Sequence, residues 1–212
     1  MYYLNFGDIP KNRYSVVYAD PCWQYSDRMS GHSFSLDHEY ATMHLRDIKA
    51  LPVGDVAAKD SVCVMWVTSP MLPDGLEVIK AWGFKYVTVA FCWVKTMPSG
   101  KDAVNLGRWT MGGCEICLLG RRGKPQRVAR NVRQIVHAAR GRHSEKPPEV
   151  RTRIETLFGD VPRIELFARG SVPGWDQWGN EPPAQCDCWD VHANLDLTEG
   201  SCGCGCHRGE QS

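Results

Sequence analysis

Short apolar runs alternate along this chain with segments of helical spacing, and that alternation constrains the fold more than any other feature. Ser61–Val67 reads Ser-Val-Cys-Val-Met-Trp-Val, an uninterrupted apolar run after one serine. It is short enough for a strand buried on both faces. Similar reasoning predicts strands at Tyr14–Ala19, Tyr86–Val94, Glu115–Leu119, Ile135–Val136 and Arg163–Ala168. Between them, Leu45–Leu51 reads as a short helix stopped by Pro52. Leu72, Leu76 and Ile79 recur at helical spacing, Trp82 closes the segment, and Gly83 caps it. Pro147 and Pro148 open a last helix with the apolar face Val150, Ile154, Leu157 and Phe158, ended by Gly159. The pattern predicts an α/β fold, a mostly parallel sheet flanked by helices. With 212 residues, 43% of them hydrophobic, the chain can fill one core and carry a small appendage.

The first strand stops at Asp20-Pro21-Cys22-Trp23. Ligands in α/β sheets usually bind beyond the carboxyl ends of the strands. A carboxylate and a backbone carbonyl there can accept the N–H groups of an amine on a planar base, while an indole stacks on the ring. This reads as the catalytic loop of an amino-methyltransferase acting on a nucleobase. The plainer alternative is that Asp-Pro only starts a turn and Trp23 belongs to the core.

A net charge of +1 hides an asymmetry. From Arg121 to Arg153 the only acids are Glu145 and Glu149, against eleven lysines and arginines. Such a stretch suits a phosphate backbone and makes binding salt-dependent, although most charge runs are simply solvated. Beyond Pro183 the balance reverses. There Cys186, Cys188, Cys202, Cys204, Cys206 and His207 suggest a thiophilic metal, but Cys-x-Cys spacing does not fit the usual Cys-x-x-Cys knuckles. A Gly-rich acidic extension is the alternative, and no metal ligand set is assigned. Residues 1–183 are expected to form the main domain and 184–212 this tail. Cys63, Cys92, Cys114 and Cys117 fall in strands and are expected in the core. The amino terminus lacks a basic region followed by an apolar stretch, and no apolar run reaches the roughly 18 residues of a membrane span. The expected location is cytoplasmic, with no membrane partner.

Several motifs, in order, then resemble one family. Ala-Asp-Pro-Cys-Trp at 19–23 is similar to an Asp-Pro-Pro-Trp signature, and Tyr40-Ala41-Thr42-Met43 resembles the segment next to it in that family. Met65-Trp66-Val67-Thr68, Trp93-Val94-Lys95-Thr96 and Gly113-Cys114-Glu115 resemble strand exits. Lys146-Pro147, the run Arg163–Arg169 and Gly179-Asn180 complete the series. The chain is thereby identified as a member of the adenine methyltransferase family named after the seventy-kilodalton subunit of the messenger-RNA methyltransferase, whose bacterial and phage members modify DNA.

The resemblance implies a Rossmann-like fold that uses S-adenosylmethionine as methyl donor, in permuted order, with the catalytic loop first and the cofactor strand last. That order accounts for the missing Gly-x-Gly-x-x-Gly near the amino terminus. It implies catalytic roles for Asp20, Pro21, Cys22 and Trp23, and substrate-binding roles for Tyr40, Lys95, Arg108 and Glu115. Lys146, Glu165, Leu166, Phe167, Arg169, Gly179 and Asn180 would serve the cofactor. Lys146, near a helix start, would hold the methionine carboxylate. Taken singly, Lys146 and Arg169 read as ordinary solvated charges. The implied reaction is methylation of the 6-amino group of adenine in DNA, with the base flipped out of any duplex. A homo- or heterodimer with a related methyltransferase is implied as well. Cys22 replaces the family's second proline, which frees the backbone and adds an N–H donor. It leaves open a non-catalytic nucleic-acid-binding partner. Methylation of the cytosine amine, or of adenine in RNA, is the alternative chemistry.

Overall fold

A computed structural model describes residues 1–24, 42–107, 109–141 and 145–179. Its strands are β1 (Tyr2–Tyr3), β2 (Tyr14–Ala19), β3 (Ala57–Val67), β4 (Lys85–Thr96), β5 (Cys114–Arg122), β6 (Ile135–Ala139), β7 (Arg163–Leu166) and β8 (Asp176–Trp178). They form one eight-stranded sheet in the order β1-β8-β7-β2-β3-β5-β4-β6. All neighbours run parallel except β5, which is antiparallel to both β3 and β4.

Strand alternation sends successive side chains to opposite faces, and each face has its own core. Val17, Ala19, Cys63, Met65 and Val67 pack with Ile48 of α1 (Leu45–Ala50), Val53 and Val56 of α2 (Val53–Val56), and Val78 and Ile79 of α3 (Leu72–Ala81). Val16, Tyr18, Val62, Val64 and Trp66 pack with Val150, Ile154 and Phe158 of α4 (Pro148–Phe158). The expected helix-flanked sheet is therefore a three-layer structure. Each fully buried aliphatic side chain contributes about 1.5–3 kcal/mol to holding the layers together.

Sequence periodicity places β2 at its observed bounds and α3 and α4 within a residue or so. β3 begins earlier than expected, at Ala57, because Lys59 and Asp60 are exposed and carry no apolar signal. β1, β8 and α2 are two to four residues long, too short for any periodicity to register. Tertiary bonds hold the edge pair instead. The Met1 ammonium lies 2.9 Å from Asp176, and the Gln177 amide donates to the Met1 carbonyl at 2.8 Å.

The chain leaves β2 toward β3 on one side and β7 toward β8 on the other, while β2 and β7 lie side by side. Their carboxyl ends, with Ala19 paired to Leu166, form a crevice at a topological switch point. The reversed β5 divides the basic stretch. Because β5 runs against its neighbours, Arg122 and the residues after it lie at the amino edge of the sheet. There the Arg122 guanidinium donates to the Gly54 carbonyl, the Lys124 amide to Asp60, and the Val128 amide to Leu157. β6 then carries the chain to the carboxyl edge, at Arg140 and Lys146. The basic stretch from 121 to 153, expected to meet phosphates, is thus split: Arg122 and Lys124 lie at the amino edge, Arg140 and Lys146 at the carboxyl edge.

Candidate active site

Asp20 comes directly after β2, and Pro21, lacking an N–H, ends the ladder there. The turn is tied by the Trp23 amide donating to the Pro21 carbonyl at 2.9 Å and the Met43 amide donating to the Cys22 carbonyl at 3.0 Å. Trp23 is only 6% exposed and belongs to the core on the α1–α3 face. Its indole N–H donates to the Trp66 carbonyl at 3.4 Å. Of the two readings of this residue, packing is the one its surroundings match.

Four charged side chains meet at the crevice. The Lys146 ammonium, 9% exposed, lies 2.7 Å from Asp20 Oδ2 and 3.4 Å from Glu115 Oε2. Glu115 also accepts a short hydrogen bond from Lys95. The result is an alternating row, Asp20–Lys146–Glu115–Lys95. Asp20 comes from the end of β2, Lys95 from the end of β4, and Lys146 from just before α4. Glu115 comes from the start of β5, and only a reversed strand brings a strand start to this edge.

Two indoles floor the row. Lys146 Nζ lies 5.8 Å from the Trp66 ring centroid and Lys95 Nζ lies 5.0 Å from that of Trp93. Trp66 and Trp93 meet edge-on at 6.3 Å, an arrangement in which ring faces attract cations. The Trp66 indole N–H in turn donates to the Tyr18 hydroxyl at 2.6 Å. Neither Trp66 nor Trp93 was among the expected site residues. The available signal was that each aromatic ends a strand on the same face as Tyr18.

The environment separates the two carboxylates. Burial pushes the Asp20 carboxyl above the usual aspartate range, an effect that Lys146 and more distantly Arg169 only partly offset. Burial works the same way on Glu115, but there Lys146 and Lys95 prevail and hold the group below its ordinary range. Lys146 itself would be pulled down by burial, yet Asp20 and Glu115 keep it above the ordinary lysine range. Carboxyl pairs pushed apart in this way are a common feature of acid–base sites and also of structural ion-pair networks. Cys22 is half-buried, and burial pushes its thiol up, so it remains a neutral thiol.

The remaining expected residues flank the crevice on β7 and beyond. Leu166 is core. Glu165 is buried, and both its oxygens accept from Arg151 on α4, at 2.7 and 2.8 Å. Phe167 turns the chain sharply with φ 62°, its ring edge-on to Trp178 at 5.3 Å. A side chain at Gly179 would stand 2.2 Å from the Ala168 carbonyl oxygen, so glycine alone permits this backbone approach. Lys146, expected at a cofactor carboxylate, is bonded to Asp20 and Glu115. Tyr40, Arg108, Asn180 and the cysteine-rich tail lie outside the described residues.

The sequence has clear relatives among known proteins. The MT-A70 family profile matches residues 14–181. The chain is 36% identical to the type II methyltransferase M.MunI of Mycoplasma sp, over 84% of this chain and 82% of that protein. It is 31% identical to the Drosophila melanogaster N(6)-adenosine-methyltransferase MT-A70-like protein, over 80% of this chain but 27% of that one. It is 30% identical to the human N(6)-adenosine-methyltransferase catalytic subunit METTL3, over 80% of this chain and 28% of that protein. The chain thus spans about a quarter of these longer relatives and most of the bacterial one. With a crevice at the strand ends, an Asp-Pro-x-Trp turn beside it and a profile match across the whole described sheet from β2 onward, the chain belongs to the MT-A70 family of methyltransferases.

Proposed function

We propose that the chain methylates the 6-amino group of adenine in DNA, with S-adenosylmethionine as donor. The observation that carries the proposal is Asp20: a carboxylate at the switch-point crevice, 21% exposed and held by the Lys146 ammonium. The adenine amine is a poor nucleophile because its lone pair is delocalised into the ring. A carboxylate has about four acceptor sites, and Lys146 engages Oδ2, so acceptor capacity remains for an amine N–H. The Pro21 carbonyl accepts from Trp23 and retains a second lone pair for the other N–H. Two acceptors placed so draw the nitrogen toward tetrahedral geometry and expose its lone pair. Positioning of this kind supplies a large part of the rate.

The crevice fits the donor chemically. It offers charges of both signs, Asp20, Lys146 and Arg169, to a molecule that carries both. Leu166, Phe167, Arg169 and Gly179 would hold it, with Lys146 and Asn180 as further candidates. When bound, S-adenosylmethionine supplies an electrophilic methyl group. We also infer the permuted order, in which the catalytic strand β2 precedes the cofactor strand β7.

DNA is favoured over RNA by coverage: the chain matches 82% of a type II methyltransferase and only 28% of METTL3. The test is nucleoside mass spectrometry of DNA and RNA from cells without their own adenine methylases, expressing wild type or Asp20→Ala. The expected result is 6-methyladenine in DNA that vanishes with Asp20→Ala. A methylated adenine confined to RNA would move the substrate. Modification that survives Asp20→Ala would overturn the site.

A further inference from the structure

The described residues between β4 and β5 are pinned into a hairpin by main-chain bonds. The Lys95 amide donates to the Gly113 carbonyl and the Ala103 amide to the Lys95 carbonyl, both at 2.8 Å, so both legs of the segment are fixed to Lys95 of the active site. Two residues further out the Asn105 and Gly112 amides exchange bonds at 2.6 and 2.9 Å, closing a hairpin. At its tip a Cβ on Gly107 would stand 2.2 Å from the Thr110 carbonyl oxygen, so the turn requires glycine. This ordered base holds large apolar side chains in water: Leu106 is 93% exposed, Trp109 97% and Met111 60%. Leaving them there forgoes the favourable burial of that surface.

We propose that this hairpin is a wedge, with Trp109 and Leu106 entering the base stack of a duplex as the target base is turned out toward Asp20. The inference rests on the reading of this chain as a DNA adenine methyltransferase. An enzyme acting on a base within a duplex must unstack it, and apolar side chains inserted between base steps are one way to do so. An indole can also stack on a neighbouring base. The tip starts about 7 Å beyond Lys95, at roughly 3.3 Å per extended residue, so it flanks the site rather than covering it. Its foot is basic. Lys101 and Arg140 are exposed, and Arg140 donates to the Asn105 side chain at 2.9 Å, which sets a guanidinium where phosphates would pass.

The test compares wild type, Trp109→Ala and Trp109→Phe on native and heat-denatured genomic DNA that lacks 6-methyladenine. Trp109→Ala should lose about tenfold or more in methylation of native DNA. On denatured DNA, whose bases are already unstacked, it should stay within about twofold of wild type, and Trp109→Phe should recover most of the loss. A second readout needs no catalysis: wild type should bind a duplex containing an abasic gap more tightly than the intact duplex, and Trp109→Ala should lose that preference. Equal loss on native and denatured DNA would overturn the wedge, as would a shift in oligomeric state caused by Trp109→Ala, which would make the tip a protein interface. If wild type methylates neither form, the functional reading fails, and the gap preference alone decides the wedge.

Discussion

Lys146 and Asp20, separated by 126 positions in the sequence, form a 2.7 Å ion pair at the mouth of the β2–β7 crevice. In the proposed reaction Asp20 is ionised to accept an amine N–H, and burial already favours its neutral form, with Lys146 opposing. Activity should therefore fall on the acid side at a higher pH than an ordinary aspartate would dictate. Lys146→Met removes the opposing charge, so that limb should move to still higher pH. Loss of a charge-assisted bond of about 1.5–3 kcal/mol should also cut kcat/KM by roughly ten- to a hundredfold. The pH profile of kcat/KM for both proteins checks this, and an unmoved acid limb would sink the coupling.

The same burial makes Asp20 a cost to the fold. A carboxyl whose folded pKa lies above its unfolded value destabilises the native state while it is ionised, and the penalty disappears as pH falls through the folded pKa. Asp20→Asn mimics the protonated form and leaves Lys146 with Glu115 at 3.4 Å. It should raise Tm at pH 7–8 while abolishing methylation, and the gain should vanish below about pH 4, the unfolded aspartate range. Calorimetry across that range is the check, and a lower Tm at neutral pH would contradict it.

Arg151 and Glu165 join α4 to β7 through two parallel bonds at 2.8 and 2.7 Å. The Glu165 side chain is 8% exposed, so Arg151→Ala would strand a buried carboxylate. Breaking one partner of a buried pair costs about 3–5 kcal/mol, and in a domain of this size each kcal/mol lowers Tm by about 2–4 °C. The double replacement Arg151→Met with Glu165→Gln should recover much of the loss, since it removes both charges. Urea unfolding of the three proteins gives the comparison. A single variant within about 1 kcal/mol of wild type would show that water reaches Glu165.

Legibility in the sequence tracked local signal. β2, α3 and α4 could be read because their apolar residues repeat at the period of the element. Asp20 could be read because it ends such a run. The reversal of β5 could not, since a strand carries no local mark of its direction. That single reversal decides two things: it brings Glu115 to Lys146, and it carries Arg122 and Lys124 to the amino edge of the sheet. The Trp66–Trp93 floor was hidden for a related reason, because it depends on the spatial order β3-β5-β4 rather than on sequence order.

Cys22 stands where the related signature has proline, and its thiol has a structural account. Burial keeps it protonated, an effect that the nearby backbone N–H groups of Cys22 and Met43 only partly counter. The turn itself is held by main-chain bonds, Met43 to the Cys22 carbonyl and Trp23 to the Pro21 carbonyl, which no side chain at 22 supplies. In the proposed transfer of a methyl group to nitrogen, a neutral thiol beside Asp20 is expected to take no nucleophilic part. Cys22→Ser keeps a small polar group facing the same N–H donors. It should leave turnover within about twofold and cost about 1 kcal/mol or less in stability. Of the four strand cysteines expected in the core, Cys63 and Cys117 are buried, but Cys92 is half-buried and Cys114, at the first residue of β5, is exposed. Thiol alkylation should therefore label Cys114 ahead of half-buried Cys22. Steady-state kinetics and peptide mapping after brief alkylation test both statements. A tenfold fall in turnover of a Cys22→Ser protein with unchanged Tm would place the thiol in the reaction after all.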